Sequence, residues 1–188
     1  MDHRFIEIKA HFDHVDLENI KKGVHGWKDT PYGIWGHSTL TKVHDLFKRL
    51  PLKKDDVFLD LGSGDGRIAI LASEFCKAYG VEGDKPLHEE AQEHVKALKS
   101  NAKLLNEDFF KMDLSKYTIL FTFYDKRFPL EFEEKLSKFN GILLNYSDIF
   151  KPARLQHENI LWLDQTPCFV YKLPQKLKKL PADDLGLS

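Results

Sequence analysis

The sequence predicts an α/β fold with a mostly parallel central sheet, and three observations carry that reading. Residues 57–67, VFLDLGSGDGR, run from an apolar strand into a glycine-rich turn, then into helical spacing at Ile68, Leu71, Ala72 and Phe75. From residue 38 onward, strand-like and helix-like runs alternate, as strand–helix–strand crossovers require. The last two apolar runs, 160–163 and 168–173, are separated only by the short DQTP segment. So short a link suits an antiparallel pair and not a helical crossover.

Taken in order, Leu40, Val43, Phe47 and Leu50 form a helical stripe that Ser38 or Thr39 can cap and Pro51 stops. The first strand covers 56–61 and its helix about 65–76. A second strand at 77–82 leads to a helix marked by Leu87, Ala91, Val95 and Leu98, with Pro86 in its first turn. A short third strand falls near 102–106 and a fourth at Tyr117–Phe123. Phe132, Leu136 and Phe139 mark a helix after Pro129, and Gly141–Tyr146 reads as the fifth strand. Residues 1–37 hold apolar residues (Phe5, Ile6, Ile8, Phe12, Val15, Leu17, Ile20) without a long clean period. Residues 174–188 read as a solvated tail, although the lysines of its QKLKK run could meet an acidic partner. Internal repeats and low-complexity tracts are absent.

Composition narrows the classes. The 188 residues suit one domain able to bury a substantial core, and 42% hydrophobic with 30% charged residues is ordinary for a globular protein. A net charge of −1 gives no general attraction to phosphate backbones and disfavours a nucleic-acid substrate. The two cysteines, Cys76 and Cys168, form no C-x-x-C pair, which excludes a disulfide framework and a zinc signature. No apolar run is long enough to span a membrane, and the charged, histidine-bearing N-terminus is unlike a signal peptide. The expected compartment is the cytoplasm. His3, His11 and His14 complete no metal-ligand spacing such as H-E-x-x-H, so no metal site is assigned. The acids after the fourth strand leave a magnesium route open.

Glycines at 62, 64 and 66 place backbone amides and a helix start beside a polar ligand. Glu82, twenty positions after Gly62 at the end of the second strand, can accept from both hydroxyls of a ribose. A nucleoside-bearing cofactor is therefore expected across the ends of the first two strands. The dinucleotide fingerprint G-x-G-x-x-G is not met, because Arg67 stands where it wants glycine or alanine. Asp65 and Asp60 add negative charge that suits a cationic cofactor better than a pyrophosphate. This favours S-adenosylmethionine over NAD.

DLGSGDG, then Glu82, then EDFF at 107–110 resembles the class I S-adenosylmethionine-dependent methyltransferases over roughly residues 38–173. GSGDGRI with the EDFFKMDLS stretch is also similar to small archaeal protein-lysine methyltransferases and their mitochondrial relatives. The resemblance implies a doubly wound, mostly parallel seven-stranded sheet closing in an antiparallel C-terminal hairpin. It also implies that residues 1–37 form a lid over cofactor or substrate; an added helix on the sheet edge is the other reading.

Within that frame the cofactor-binding candidates are Tyr32, Trp35, Asp60, Gly62, Ser63, Gly64, Gly66, Glu82, Gly83, Asp108, Phe109 and Phe123. Glu82 is otherwise a solvated strand-end acid. Asp60 caps the loop backbone or, as the resemblance implies, faces the methionine amine. Asp108 meets the adenine amine or caps a turn, and Phe109 lines the adenine face or belongs to the core. The aromatic stretch with Tyr32, Trp35 and His37 walls the pocket or forms a buried cluster.

The substrate should meet the methyl group at the end of the fourth strand, within FTFYDKRF at 121–128. The Asn/Asp-Pro-Pro-aromatic motif of enzymes that methylate flat amides or bases is missing there, which argues against adenine or glutamine N-methylation. Tyr124 and Asp125 are the catalytic candidates: Tyr124 could orient an amine by hydroxyl or ring face, and Asp125 could draw a cation or accept a proton. Solvated strand-end residues are the competing reading. The methyl acceptor is not fixed by the sequence: a protein side chain such as lysine, or a small-molecule amine, carboxylate or phenol, is compatible with it. Two other classes remain open, an NAD(P)-dependent oxidoreductase and an inactive cofactor-binding subunit. The first lacks a Tyr-x-x-x-Lys pair, since Tyr146 is followed by Phe150 at that offset. Nothing in the chain sets an oligomeric state.

Overall fold

A computed structural model describes residues 3–24, 27–31, 33–147 and 149–179. In chain order the elements are α1 (His3–Lys21), β1 (Trp27–Thr30), β2 (Gly33–Gly36), α2 (Leu40–Arg49), β3 (Val57–Leu61), α3 (Arg67–Ala72) and β4 (Lys77–Val81). There follow α4 (Lys85–Ala97), β5 (Lys103–Leu105), β6 (Ile119–Thr122), α5 (Leu130–Ser137), β7 (Gly141–Tyr146), β8 (Asn159–Leu163) and β9 (Thr166–Leu173).

Seven strands form one sheet in the order β5-β4-β3-β6-β7-β9-β8. The first five are mutually parallel, and β9 runs antiparallel to both β7 and β8. This is the expected doubly wound sheet with its C-terminal hairpin. Alternate side chains feed two cores. Phe58, Ile119 and Phe121 pack with α1, α2 and α3 on one face, while Leu59, Leu61 and Leu120 pack with α5 on the other. Burial on both faces explains why these strands read as continuous apolar runs. Strand order reverses between β3 and β6, which opens a crevice beyond their C-terminal ends.

Several elements are shorter than their sequence patterns. Helix α3 covers only Arg67–Ala72, because the chain leaves helical geometry after Ser73 and turns directly into β4. Strand β6 stops at Thr122, and Phe123 beyond it is 45% exposed. The segments 106–118 and 147–158 cross the sheet without a helix. The second is held by the buried Glu133, whose two oxygens accept from Ala153 N and Arg154 N at 2.7 Å each. Residues 174–179 are not a free tail: Lys178 N donates to Arg154 O, and the Gln175 side chain bonds the backbone at Gln156 and Lys172. Residues 180–188 lie outside the described residues.

The N-terminal segment divides in two. Its first half is the helix α1, unmarked by a broad apolar stripe, which buries only Phe5, Ile8 and Phe12 against the first core. Burial of such side chains is worth about 1.5–3 kcal/mol each. Its second half is the antiparallel hairpin β1–β2, a separate two-stranded sheet that pairs Asp29 with Ile34 and Thr30 with Gly33.

Helix α1 is fixed to the body by a buried charge cluster. Arg67, 4% exposed, donates to Asp65 at 2.7–2.9 Å and to Asp16 of α1 at 2.9 and 3.2 Å. Its guanidinium also lies 4.7 Å from the Phe12 ring centroid. Burial alone would raise the Asp16 carboxyl, but the hydrogen bonds and charge of Arg67 outweigh it and hold Asp16 below its usual range. Arg67→Ala should cost about 3–5 kcal/mol, because it leaves Asp65 buried without a counter-ion. A lowered urea midpoint at unchanged slope would show this. The Asp16 contribution should be complete above the ordinary carboxylate value and vanish as pH falls through the depressed one.

Candidate active site

The glycine loop 62–66 joins β3 to α3 at the crevice. Gly62, Gly64 and Gly66 take φ of +77°, +52° and +79°, left-handed values that side chains disfavour. The turn they make directs amides back onto β4 and not outward. Gly62 N and Ser63 N both donate to Val81 O at 2.9 Å, Gly64 N donates to Glu82 Oε2 at 2.8 Å, and Gly66 N donates to Ser63 O. The expectation of free loop amides facing a ligand is therefore corrected: these four are spent on holding the loop to the strand end. With α3 under two turns long, the helix end adds little. What the strand ends offer the cavity is carboxylates.

Glu82, 7% exposed, is the first residue after β4, which stops one residue short of its sequence pattern. Its Oε1 accepts from Asp84 N and its Oε2 from Gly64 N, each at 2.8 Å. A carboxylate has about four acceptor directions, so two remain, matching the two hydroxyls of a ribose. Asp60, 4% exposed, is the last but one residue of β3, between apolar Leu59 and Leu61, and faces the same cavity. No group among the described residues donates a hydrogen bond to it. Burial, followed by the nearby charges of Glu82 and Asp65, pushes its carboxyl well above the usual range. An unpartnered buried carboxylate fits a cationic group such as an amino-acid ammonium. Asp65 has no such freedom, because Arg67 neutralises it.

Trp35, Asp60, Gly62, Ser63, Glu82, Gly83, Asp108, Phe109, Phe123, Tyr124 and Asp125 line one cavity together. Gly64 and Gly66 do not line it. A Cβ on Gly64 would overlap the Trp35 indole nitrogen, and one on Gly66 would sit 3.1 Å from Ala91 Cβ. Both glycines serve close packing. Tyr32 lies outside the described residues. Asp108 caps its own turn, accepting from Phe110 N at 3.0 Å, and its second oxygen lies 3.1 Å from Lys111 Nζ. Phe109 lies 3.9 Å from the Cβ position of Gly62 and packs edge-on to Tyr124. Burial raises the Tyr124 phenol, with smaller contributions from Asp125 and Asp108. The wall also includes His37, in line with the pocket-wall reading of the aromatic stretch, with Ile34 and Ser38 from the same stretch. Thr30 and Glu107 also line it and were not singled out from the sequence.

Fold and cavity define the class: a class I S-adenosylmethionine-dependent methyltransferase. The chain belongs to the family described as histone methylation protein DOT1, whose model matches residues 21–127, more than half of it. Among curated proteins, it is 34% identical to a protein-lysine N-methyltransferase of Saccharolobus islandicus over 86 residues, 43% of this chain and 53% of that protein. It is 35% identical to ribosomal RNA small subunit methyltransferase A of Persephonella marina over 78 residues, 40% of this chain and 29% of that protein. The chain thus spans about half or less of these relatives' lengths. Among solved structures, an RNA methyltransferase from Salinibacter ruber in complex with S-adenosyl-L-homocysteine superposes with a TM-score of 0.62 at 21% identity. That match covers 76% of this chain and 97% of the other. The cofactor of the class is S-adenosylmethionine, which the two carboxylates fit.

Two outcomes test this site. Glu82→Ala should weaken S-adenosylhomocysteine binding more than about tenfold, roughly 1.4 kcal/mol, read by calorimetry on a folded variant. An ammonium docking on Asp60 favours its ionised form, so binding should release a proton. Affinity should then rise with pH up to the raised value of the free carboxyl. In Asp60→Asn that rise should disappear, along with the proton release seen by calorimetry in buffers of different ionisation enthalpy.

Proposed function

We propose that this protein transfers the methyl group of S-adenosylmethionine to a lysine side chain of a protein. The carrying observation is Phe123-Tyr124-Asp125 at the end of β6, an aromatic pair and a carboxylate where a base- or amide-methylating site would hold a proline pair. Such a mouth suits a cation with an aliphatic stem. The cavity wall agrees, since Asp60, Glu82, Glu107, Asp108 and Asp125 outnumber its basic groups. Family membership and the lysine-methylating relative support the same acceptor. The RNA-methylating relative makes RNA the second reading.

When bound, the cofactor supplies an electrophilic sulfonium methyl whose leaving group is a neutral thioether. Glu82 would hold the ribose, Asp60 the ammonium, and Asp108 with Phe109 the adenine end. Phe123 and Tyr124 would exclude water around the acceptor nitrogen. A lysine ammonium, with an ordinary pKa of about 10.4, must lose its proton to expose a lone pair. The apolar wall lowers that value and the Asp125 charge raises it. Asp125 therefore serves docking better than deprotonation. The Tyr124 phenol, held above its ordinary range, stays protonated at neutral pH and can orient the nitrogen through its oxygen. Held there, the acceptor nitrogen could take the methyl group that the bound cofactor would supply, with the displaced proton passing to water.

The test is transfer from tritiated methyl donor to cell extract, followed by protease, nuclease and amino-acid analysis. Label recovered as methyl-lysine is the expected result, with Tyr124→Phe lowering the rate about tenfold or more. Nuclease-sensitive label would establish RNA as acceptor and overturn the proposal. No label in any fraction, despite cofactor binding, would instead favour an inactive binding subunit.

A further inference from the structure

The hairpin β1–β2 is not part of the central sheet, yet Thr30, Gly33, Ile34 and Trp35 form one wall of the cofactor cavity. An isolated two-stranded hairpin is marginal in water, so its position depends on what it grips. At its tip it grips Asp125. Ile34 N donates to Asp125 Oδ2 at 2.7 Å across 91 residues of sequence. Beside that bond the carboxylate lies against Gly33, where a Cβ would stand 2.6 Å from Oδ1 and φ is +142°. Only glycine lets the carboxylate approach this backbone. One residue further along, the Trp35 indole lies on Gly64, directly over the glycine loop. The hairpin thus touches both Asp125 after β6 and Gly64 in the glycine loop.

We propose that Asp125 is a positioning residue acting through this hairpin: it holds β1–β2 across the cavity with Trp35 seated on the glycine loop, and so sets how long the cofactor stays bound. This rests on the methyltransferase reading only for the identity of the cofactor. It is separate from docking of an amine, because the two uses need different properties of one side chain. Holding the hairpin needs an oxygen that accepts from Ile34 N–H. Drawing a cation needs the negative charge. Asparagine keeps the first and loses the second.

The experiment uses the full chain loaded with S-adenosylhomocysteine and measures its dissociation rate by stopped-flow chase. Exchange of the Ile34 amide is followed in parallel by NMR. Asp125→Ala should speed dissociation about tenfold, the scale of one hydrogen bond to a charged acceptor, and should deprotect the Ile34 amide. Asp125→Asn should restore both towards wild type while raising KM for a lysine acceptor. Gly33→Ala leaves Asp125 in place but drives it from the backbone; it should reproduce the fast dissociation if Asp125→Ala does not fold. Wild-type dissociation and amide protection in Asp125→Ala or Gly33→Ala would overturn the proposal. An Asp125→Asn variant that releases the ligand as fast as Asp125→Ala would do the same. Failure of the wild-type chain to bind S-adenosylhomocysteine at all is a different result, and it removes the cofactor reading itself.

Discussion

The site depends on one buried guanidinium. Arg67 begins α3, and two edges of its guanidinium are taken by Asp65 from the glycine loop and Asp16 from α1. A lone buried charge here would cost several kcal/mol, and so would the buried Asp65 without it. Together they offset one another, and Arg67's planar fork fixes the direction of each partner. The loop cannot change its turn without releasing Asp65, and α1 cannot slide without releasing Asp16. His37, 3.8 Å from Asp16, extends the cluster to the foot of the hairpin. Loop, helix and hairpin thus share one electrostatic joint, which contributes His37, Asp65 and Arg67 to the cavity wall.

That joint explains why acids dominate the cavity at the strand ends. The loop amides that a phosphate would want are bonded to Val81 O, Glu82 and Ser63 O. The loop's own carboxylate is neutralised by Arg67. What remains facing the cavity from β3 and β4 is Asp60 and Glu82. A pyrophosphate would meet two carboxylates and few free donors, whereas a sulfonium nucleoside presents hydroxyls to one acid and an ammonium to the other. The preference against a dinucleotide thus comes from where backbone hydrogen bonds are spent as much as from the glycine spacing.

Much of this was legible in the sequence, for identifiable reasons. The strands of the parallel core are buried on both faces, so they stand out as unbroken apolar runs. The glycine spacing and the position of Glu82 are local features that topology preserves. The DQTP link announced its hairpin because no helix fits in so few residues. Helix α1 was legible only as one of two readings of residues 1–37, because Phe5, Ile8 and Phe12 make a stripe too narrow to separate from exposed Ile6, Leu17 and Ile20. Arg67 looked only like a departure from a glycine fingerprint, since its partner Asp16 lies 51 residues away. The hairpin's grip on Asp125 spans more sequence still, and no periodicity encodes it. The use of the loop amides was misread because sequence places the donors but not their acceptors.

Asp60 shows why the local exception carries the most information. Every other buried acid described here has a donor: Glu82 has two amides, Asp65 has Arg67, and Glu133 has two amides. Asp60 sits on the strand that both cores depend on and has none among the described residues. Ionised, it is repelled by Glu82 and Asp65; protonated, it still wastes a buried polar group. A strand meant only for stability would carry valine or isoleucine there. Keeping a carboxyl at that depth makes sense if a cation arrives to complete it. Binding energy is then drawn from a defect built into the free protein, not from new contacts at its rim. The same reasoning sets Asp60 apart from Asp108, whose turn and lysine already satisfy it. Of the acids around the cavity, Asp60 is the one whose environment is physically incomplete without a ligand.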